Sequence, residues 1–404
     1  MTEPSTQRTV SLEIDLSAAT AGFESASSPT DAHHMIAKHY ASPLILGPPR
    51  SDLLLEFVMH MFTDDEADLV QHLKPLRPRS AEQVGKKAGR PADEVARILD
   101  HLALKKKVVL GYGSPRKYTI LPVVPGTFEM ALMTSDLAGL NSWHKKFSDI
   151  FERLWNTGFL AANYPGNEKA PLVRYLPVGS VIDNLYSAWP SEKLEEVLEP
   201  YDYFAVGHCQ CRISMQMVGK GCDIETENCV AMGPMTKPLV ERGMMRSISR
   251  EEVIQIKREA ELQGAVTWMM NEAKNNKNGN GSCSCCGCCC HGLRSIKDFN
   301  SPGLVSRPHF LPVEDPEKCT LCRKCVKKCP MEAWSVVEDK LVFDMARCIG
   351  CGICVTACSQ GALRLEEAVK VEPQQVSQFK AYMSILPGYF GNSFRVWARR
   401  LLAD

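Results

Sequence analysis

Cys319, Cys322, Cys325 and Cys329 follow the spacing C-x2-C-x2-C-x3-C, and Cys348, Cys351, Cys354 and Cys358 repeat it 29 residues later at every position. The match runs past the cysteines, because Val326 pairs with Val355 and Ala333 with Ala362. Thiols this dense must be tied down by disulfides or by metal, and the compartment decides which. All 18 cysteines lie between Cys209 and Cys358. The stretch Met1–Ala32 is polar, with Glu13 and Asp15, and has neither a basic segment leading an apolar run nor a twin-arginine pair. No run approaches the ~18 apolar residues that a membrane span needs. The chain therefore reads as cytoplasmic, and in that compartment thiols stay reduced and clustered cysteines are expected to take metal. Composition agrees with a folded protein: 404 residues, 45% hydrophobic, with 47 basic and 47 acidic side chains. Such values exclude general disorder and a membrane bundle, and the length suggests two to four domains.

The doubled spacing resembles the bacterial two-cluster ferredoxin over roughly residues 313–368, with Pro330 after the first set as in that family. The resemblance implies two [4Fe-4S] clusters with exchanged fourth ligands. Cys319, Cys322, Cys325 and Cys358 would hold one, and Cys348, Cys351, Cys354 and Cys329 the other. Gly350 and Gly352 would let backbone amides approach the sulfurs. Two features depart from the pattern. Ser359 stands where the first repeat has Pro330, and the first loop carries Arg323, Lys324, Lys327 and Lys328, whereas free ferredoxins of this kind are usually acidic. Positive charge there favours the reduced state and suits an acidic partner.

Ten more cysteines form two groups: Cys209, Cys211, Cys222 and Cys229, then Cys283, Cys285, Cys286, Cys288, Cys289 and Cys290, with His208 and His291 beside them. They read as ligands of one or two further [4Fe-4S] clusters, of zinc, or as a redox dithiol. Either each sequence group serves its own centre or both share one. Neighbouring thiols face one small cluster with difficulty, so at least two thiols of the later group are expected to stay free or to serve a second metal. With Cys209-Gln-Cys-Arg212, Gly219-Lys-Gly-Cys-Asp223 and Cys283–Cys290 in this order, residues 50–368 resemble the bacterial and archaeal 4Fe-4S dicluster ferredoxins. That resemblance implies a redox protein of low-potential, anaerobic metabolism.

The expected architecture is α+β and multidomain: a flexible tail over 1–45, a winged-helix-like module over 46–125, a mainly helical Cys-rich metal-binding domain over 126–300, a two-cluster ferredoxin fold over 301–368, and a docking helix or tail over 369–404. Val10–Leu16 could form an edge strand. Leu53, Leu54, Phe57, Val58 and Met61 have helical spacing, Thr63–Glu66 and Ser80–Gln83 read as N-terminal caps, and 108–120 reads as a hairpin. The series Trp143, Phe147, Phe151, Trp155, Phe159 marks a core-facing helix. Residues 275–281 read as a linker. Phe394, Trp397, Leu401 and Leu402 line one face of a helix suited to a partner or a membrane surface.

No phosphate-binding loop or dinucleotide fingerprint occurs, and flavin sites often lack a short signature. The leading reading is an electron-transfer component or oxidoreductase subunit passing single electrons to or from a partner oxidoreductase, rather than a stand-alone enzyme. A second is a redox- or oxygen-sensing transcriptional regulator that binds DNA through the helix from Pro91 to Lys107, helped by Lys105, Lys106, Lys107, Arg116 and Lys117. Asp93 and Glu94 at that helix start oppose it. A third is an enzyme with its catalytic centre at Cys283–Cys290. Each oxidised four-thiolate cube adds about −2, so the balanced apo chain becomes acidic when loaded.

Overall fold

The computed structural model describes residues 22–159, 173–182, 193–270, 279–300 and 305–368, which fall into two units. One contains 22–159 with 213–220, and the other contains the rest. The expected edge strand at Val10–Leu16 and the C-terminal helix lie outside the described residues.

The first unit opens with α1 (Asp31–Tyr40), α2 (Asp52–Met61) and α3 (Asp64–Val70). The sequence reading places a tail over 1–45, but Thr30 caps α1, and Ile36 and Tyr40 are fully buried. Its polar sequence, Asp-Ala-His-His-Met-Ile-Ala-Lys-His-Tyr, hides the apolar face because buried His33 belongs to it and bonds the Phe62 carbonyl at 3.0 Å. α3 starts at the expected Thr63–Glu66 capping box. β1 (Arg79–Ser80), α4 (Ala81–Ala88), α5 (Ala92–Leu104), β2 (Leu110–Tyr112) and β3 (Lys117–Thr119) follow, with the strands in the antiparallel order β1-β3-β2. Ser80 and Gln83 cap α4 reciprocally, and Gly89 ends it in the left-handed region at φ 68°.

No boundary falls at 125. The helices α6 (Phe128–Leu132) and α7 (Ser142–Trp155) belong to the same unit. The aromatic series is buried throughout, and Phe151 stacks on Phe128 with ring centroids 3.9 Å apart while Phe147 meets Phe57 of α2 at 5.0 Å. The basic patch expected after α5 does not form. Lys106 is fully buried against Glu66 at 2.7 Å, Lys107 bonds the Met133 carbonyl at 2.7 Å, and Arg116 pairs with Asp100. The chain turns inward directly after α5, so two of three consecutive lysines serve the fold rather than a phosphate backbone.

The second unit is built on a six-stranded antiparallel sheet, which corrects the expectation of a mainly helical middle domain. Its order is β4 (Val173–Tyr175), β8 (Val266–Met270), β9 (Asn280–Cys285), β6 (Glu227–Met232), β5 (Phe204–His208), β7 (Arg246–Ile248). The segment Asn-Gly-Ser-Cys-Ser-Cys of β9 carries no large apolar residue and so reads as linker and loop, yet it is a central strand. Side chains alternate across a pleated strand, which gives the two faces different tasks. Phe204, Val206, Val230, Met232, Ile248 and Met269 pack with Val253 under the helix α9 (Arg250–Leu262). On the opposite face Cys283, Cys285, Val266 and Trp268 pack against Met331, Ala333, Ile349 and Ile353 of the cysteine repeat.

The repeat therefore shares a core with the sheet instead of forming the separate 301–368 domain expected. It contains β10 (Phe310–Glu314) paired with β13 (Leu363–Glu367), the hairpin β11 (Trp334–Val337) and β12 (Lys340–Phe343), and two single-turn helices, Lys324–Lys328 and Ile353–Ala357. The Val178 amide donates to the Cys351 carbonyl at 2.9 Å, which ties the sheet's β4 edge to the second loop. Among the described residues no helix is long and apolar enough to cross a membrane.

Candidate metal centres

The twofold sequence repeat is a twofold structural repeat down to the hydrogen bonds on sulfur. The Ala333 amide donates to Cys329 Sγ, and its counterpart Ala362 donates to Cys358 Sγ, both at 3.3 Å. Gly350 donates to Cys348 Sγ at 3.3 Å, and the equivalent Leu321 amide serves Cys319. These contacts require a left-handed backbone. Gly350 and Gly352 adopt φ of 68° and 76°, whereas the first loop puts Leu321 and Arg323 there at 52° and 61°. Glycine is obligatory only in the second loop, where a Cβ at Gly350 would lie 2.6 Å from the Phe310 carbonyl oxygen.

Cys319, Cys322, Cys325 and Cys358 line one cavity together with Arg323 and Lys324. Cys329, Cys348, Cys351 and Cys354 act electrostatically on one another as a second set. The two differ in exposure: Cys322 is exposed, whereas Cys351 and Cys354 are buried. Burial pushes the thiols of Cys348 and Cys354 up to about 12. Without metal they stay protonated, so loading must release protons. The donor sets fit a [4Fe-4S] cluster each: all-thiolate ligands, amide donors aimed at sulfur, and sulfurs not pressed together. The basic side chains Arg323, Lys324, Lys327 and Lys328 are all exposed around the outer set, with Lys324 Nζ donating to Ser359 Oγ at 3.0 Å.

The other ten thiols do not sort by sequence group. The register that pairs Val230 with Ser282 brings Cys229 of β6 opposite Cys283 of β9, where the two thiols interact. Cys209 and Cys211 stand where β5 passes into α8 (Gln210–Met217), and Cys211 faces both Cys209 and Cys290. Cys290 reaches Cys285 at 3.2 Å. This gathers Cys209, Cys211, Cys229, Cys283, Cys285 and Cys290 on the sheet face that meets the repeat. Cys222, in the loop before β6, joins Cys286, Cys288 and Cys289 instead. Adjacent Cys288 and Cys289 both face this second set, 3.7 Å apart. His291 Nδ1 lies 3.1 Å from Cys211 Sγ, while His208 bonds Thr226 Oγ1 at 2.8 Å.

Two buried cations serve these thiols: Arg212 of the Cys209–Arg212 motif, and Lys257, which the sequence does not mark. Arg212 donates to the carbonyls of Glu225 (2.8 Å) and Ser284 (3.0 Å) and to Cys286 Sγ (3.6 Å). Lys257 of α9 is fully buried, donating to the Ser282 carbonyl at 3.0 Å and Ser284 Oγ at 3.2 Å. Burial lowers its pKa, and the thiolates of Cys283, Cys229, Cys285 and Cys209 oppose that. An uncompensated buried charge is costly, so two cations held here match anionic metal–thiolate centres. The sequence signal was present but weak: Arg212 directly follows Cys211, whereas nothing marks Lys257 within a charged helix.

Residues 318–363 match a family model described as a 4Fe-4S dicluster domain. An uncharacterised protein of Methanothermobacter thermautotrophicus is 39% identical over 57 residues, 14% of this chain and 12% of that protein. A component of an ion-translocating oxidoreductase complex of Methanosarcina acetivorans is 43% identical over 47 residues, 12% of this chain and 18% of that component. An uncharacterised ferredoxin of Methanocaldococcus jannaschii is 43% identical over 56 residues, 13% of this chain and 77% of that ferredoxin. The chain thus spans less than a fifth of the first two relatives. No solved structure matches it.

Proposed function

From a chain that belongs to the 4Fe-4S ferredoxin family through residues 318–363, we propose an electron-transfer protein of the cytoplasm with three iron–sulfur centres in a row. When bound, the clusters supply one-electron exchange. Cys319, Cys322, Cys325 and Cys358 would hold the outer centre, and Cys329, Cys348, Cys351 and Cys354 the middle one. Six thiols stand on the sheet face, and since Cys285 and Cys290 lie 3.2 Å apart only one of that pair would join the four that a third centre needs. The observation that carries this reading is the shared core, in which Cys283, Cys285 and Cys290 pack with Cys329, Cys348 and Cys351.

The residues around each set divide the work. Exposed Arg323, Lys324, Lys327 and Lys328 form a basic collar at the outer set, suited to an acidic redox partner. Ile349, Ile353 and Met331 exclude water between the middle set and the sheet. Lys257 and Arg212 balance thiolate charge at the inner end. That one relative is a component of an ion-translocating oxidoreductase complex supports a partner of that kind. The strand order β1-β3-β2 around α4 and α5 supports a winged-helix-like module. Its inward-turned lysines favour a protein partner for it over DNA, and thus electron transfer over regulation. Stepwise anaerobic reduction with electron paramagnetic resonance tests the row. Interacting, broadened cluster signals are expected, and fully independent ones would refute it.

A further inference from the structure

The four thiols of Cys222, Cys286, Cys288 and Cys289 are spaced differently from every other thiol set. Their Sγ atoms all lie within 4.8 Å of one another, which no other set of three or more His, Cys, Asp or Glu does among the described residues. Cys222 is 3.6 Å from Cys286 and 3.7 Å from Cys289, and Cys288 is 3.7 Å from Cys289. A zinc ion with sulfur ligands at ~2.3 Å in a tetrahedron sets its sulfurs ~3.8 Å apart. A cube puts each thiolate on a different iron and spreads them well beyond that. Neither set of four in the repeat loops draws its sulfurs within that 4.8 Å limit.

We propose that Cys222, Cys286, Cys288 and Cys289 bind a single tetrahedral zinc ion, separate from the iron–sulfur centres. Four soft thiolates in a closed tetrahedron suit zinc, and the Irving–Williams order places it above ferrous iron at a site of given geometry. Four thiolates leave the site with a net charge of −2, and the Arg212 guanidinium at Cys286 Sγ offsets part of it. The site joins the irregular 221–226 segment to the turn at 286–289. Within that turn Gly287 lies so close to the repeat that a Cβ would sit 1.9 Å from the Pro330 carbonyl oxygen. The ion is therefore a clamp that holds the sheet's thiol turn against the residue next to Cys329.

The test is metal analysis and zinc-edge X-ray absorption on the anaerobically purified full chain. About one zinc per chain is expected, with four sulfur neighbours near 2.3 Å and no metal neighbour. Absence of zinc, or a metal neighbour in its shell, would overturn the proposal. Because Cys288 is exposed, Cys288→Ser and Cys288→His are the informative variants. The serine variant should lose its zinc while keeping iron and acid-labile sulfide, and the histidine variant should retain zinc. Loss of about four irons from the serine variant instead would overturn the assignment and make this set a cube. The result stands apart from the proposed electron-transfer role, since iron content and reduction of the remaining centres are read independently.

Discussion

Gly287→Ala probes the contact between the sheet and the repeat with the smallest available change. The new Cβ would sit 1.9 Å from the Pro330 carbonyl oxygen and 3.0 Å from its Cα, while ordinary contact starts at 3.4 Å. Backbone must therefore retreat by about 1.5 Å, and Pro330 follows Cys329 directly, so the middle centre moves with it. Overpacking of this kind costs about 1–3 kcal/mol. Taking about 2 kcal/mol, openings that expose the middle set become roughly 30-fold more frequent. The assay is iron release to a chelator under anaerobic conditions, followed by loss of cluster absorbance. One cluster's share of the iron should leave roughly 30-fold faster, with the outer set's share unchanged. Gly281→Ala, on β9 ahead of that turn, is the control, since nothing lies within 4 Å of its Cβ position. Release from Gly287→Ala at the wild-type rate would refute the shared core.

Other consequences are as direct. Lys106→Met leaves Glu66 without its buried partner at 2.7 Å and should destabilise the first unit by about 3 kcal/mol, read from the urea midpoint of tryptophan fluorescence. Burial holds His60 down at about 4 and His144 at about 3. Their folded pKa values lie below the unfolded 6.5, so stability is complete above that pH and is lost as pH falls toward 3–4. A urea midpoint equal at pH 7 and pH 4.5 would contradict this. Replacing Arg323, Lys324, Lys327 and Lys328 with Gln should lower the potential of one cluster by tens of millivolts, and a potentiometric titration with all midpoints unchanged would contradict it. Lys257→Leu removes the cation beneath Cys229 and Cys283 and should deplete iron bound upstream of the repeat, leaving the family-matched eight ligands loaded.

The repeat was legible because its information is local. Spacing within a loop fixes which thiols converge, and the 29-residue period fixes the partner loop. The aromatic series of α7 and the caps of α3 and α4 were legible for the same reason. The second unit's sheet was not, because β9 is made of Asn, Gly, Ser and Cys, and its strand character comes from β6 and β8 on either side. The grouping of the ten upstream thiols depends on that pairing, which is why Cys229 goes with Cys283 while Cys222 does not. Lysine clusters misled in the first unit. A run of three identical residues says nothing of which one turns inside, and Lys106 is fully buried. The helix α1 within the expected tail was hidden for a similar reason, since a buried histidine, His33, completes its apolar face.

Iron and acid-labile sulfide counting on the anaerobically purified full chain tests the central claim, that the sheet presents a third centre to the ferredoxin pair. About twelve irons and twelve sulfides per chain are expected, four for each of three cubes. About eight irons would confine the clusters to residues 318–363 and contradict it.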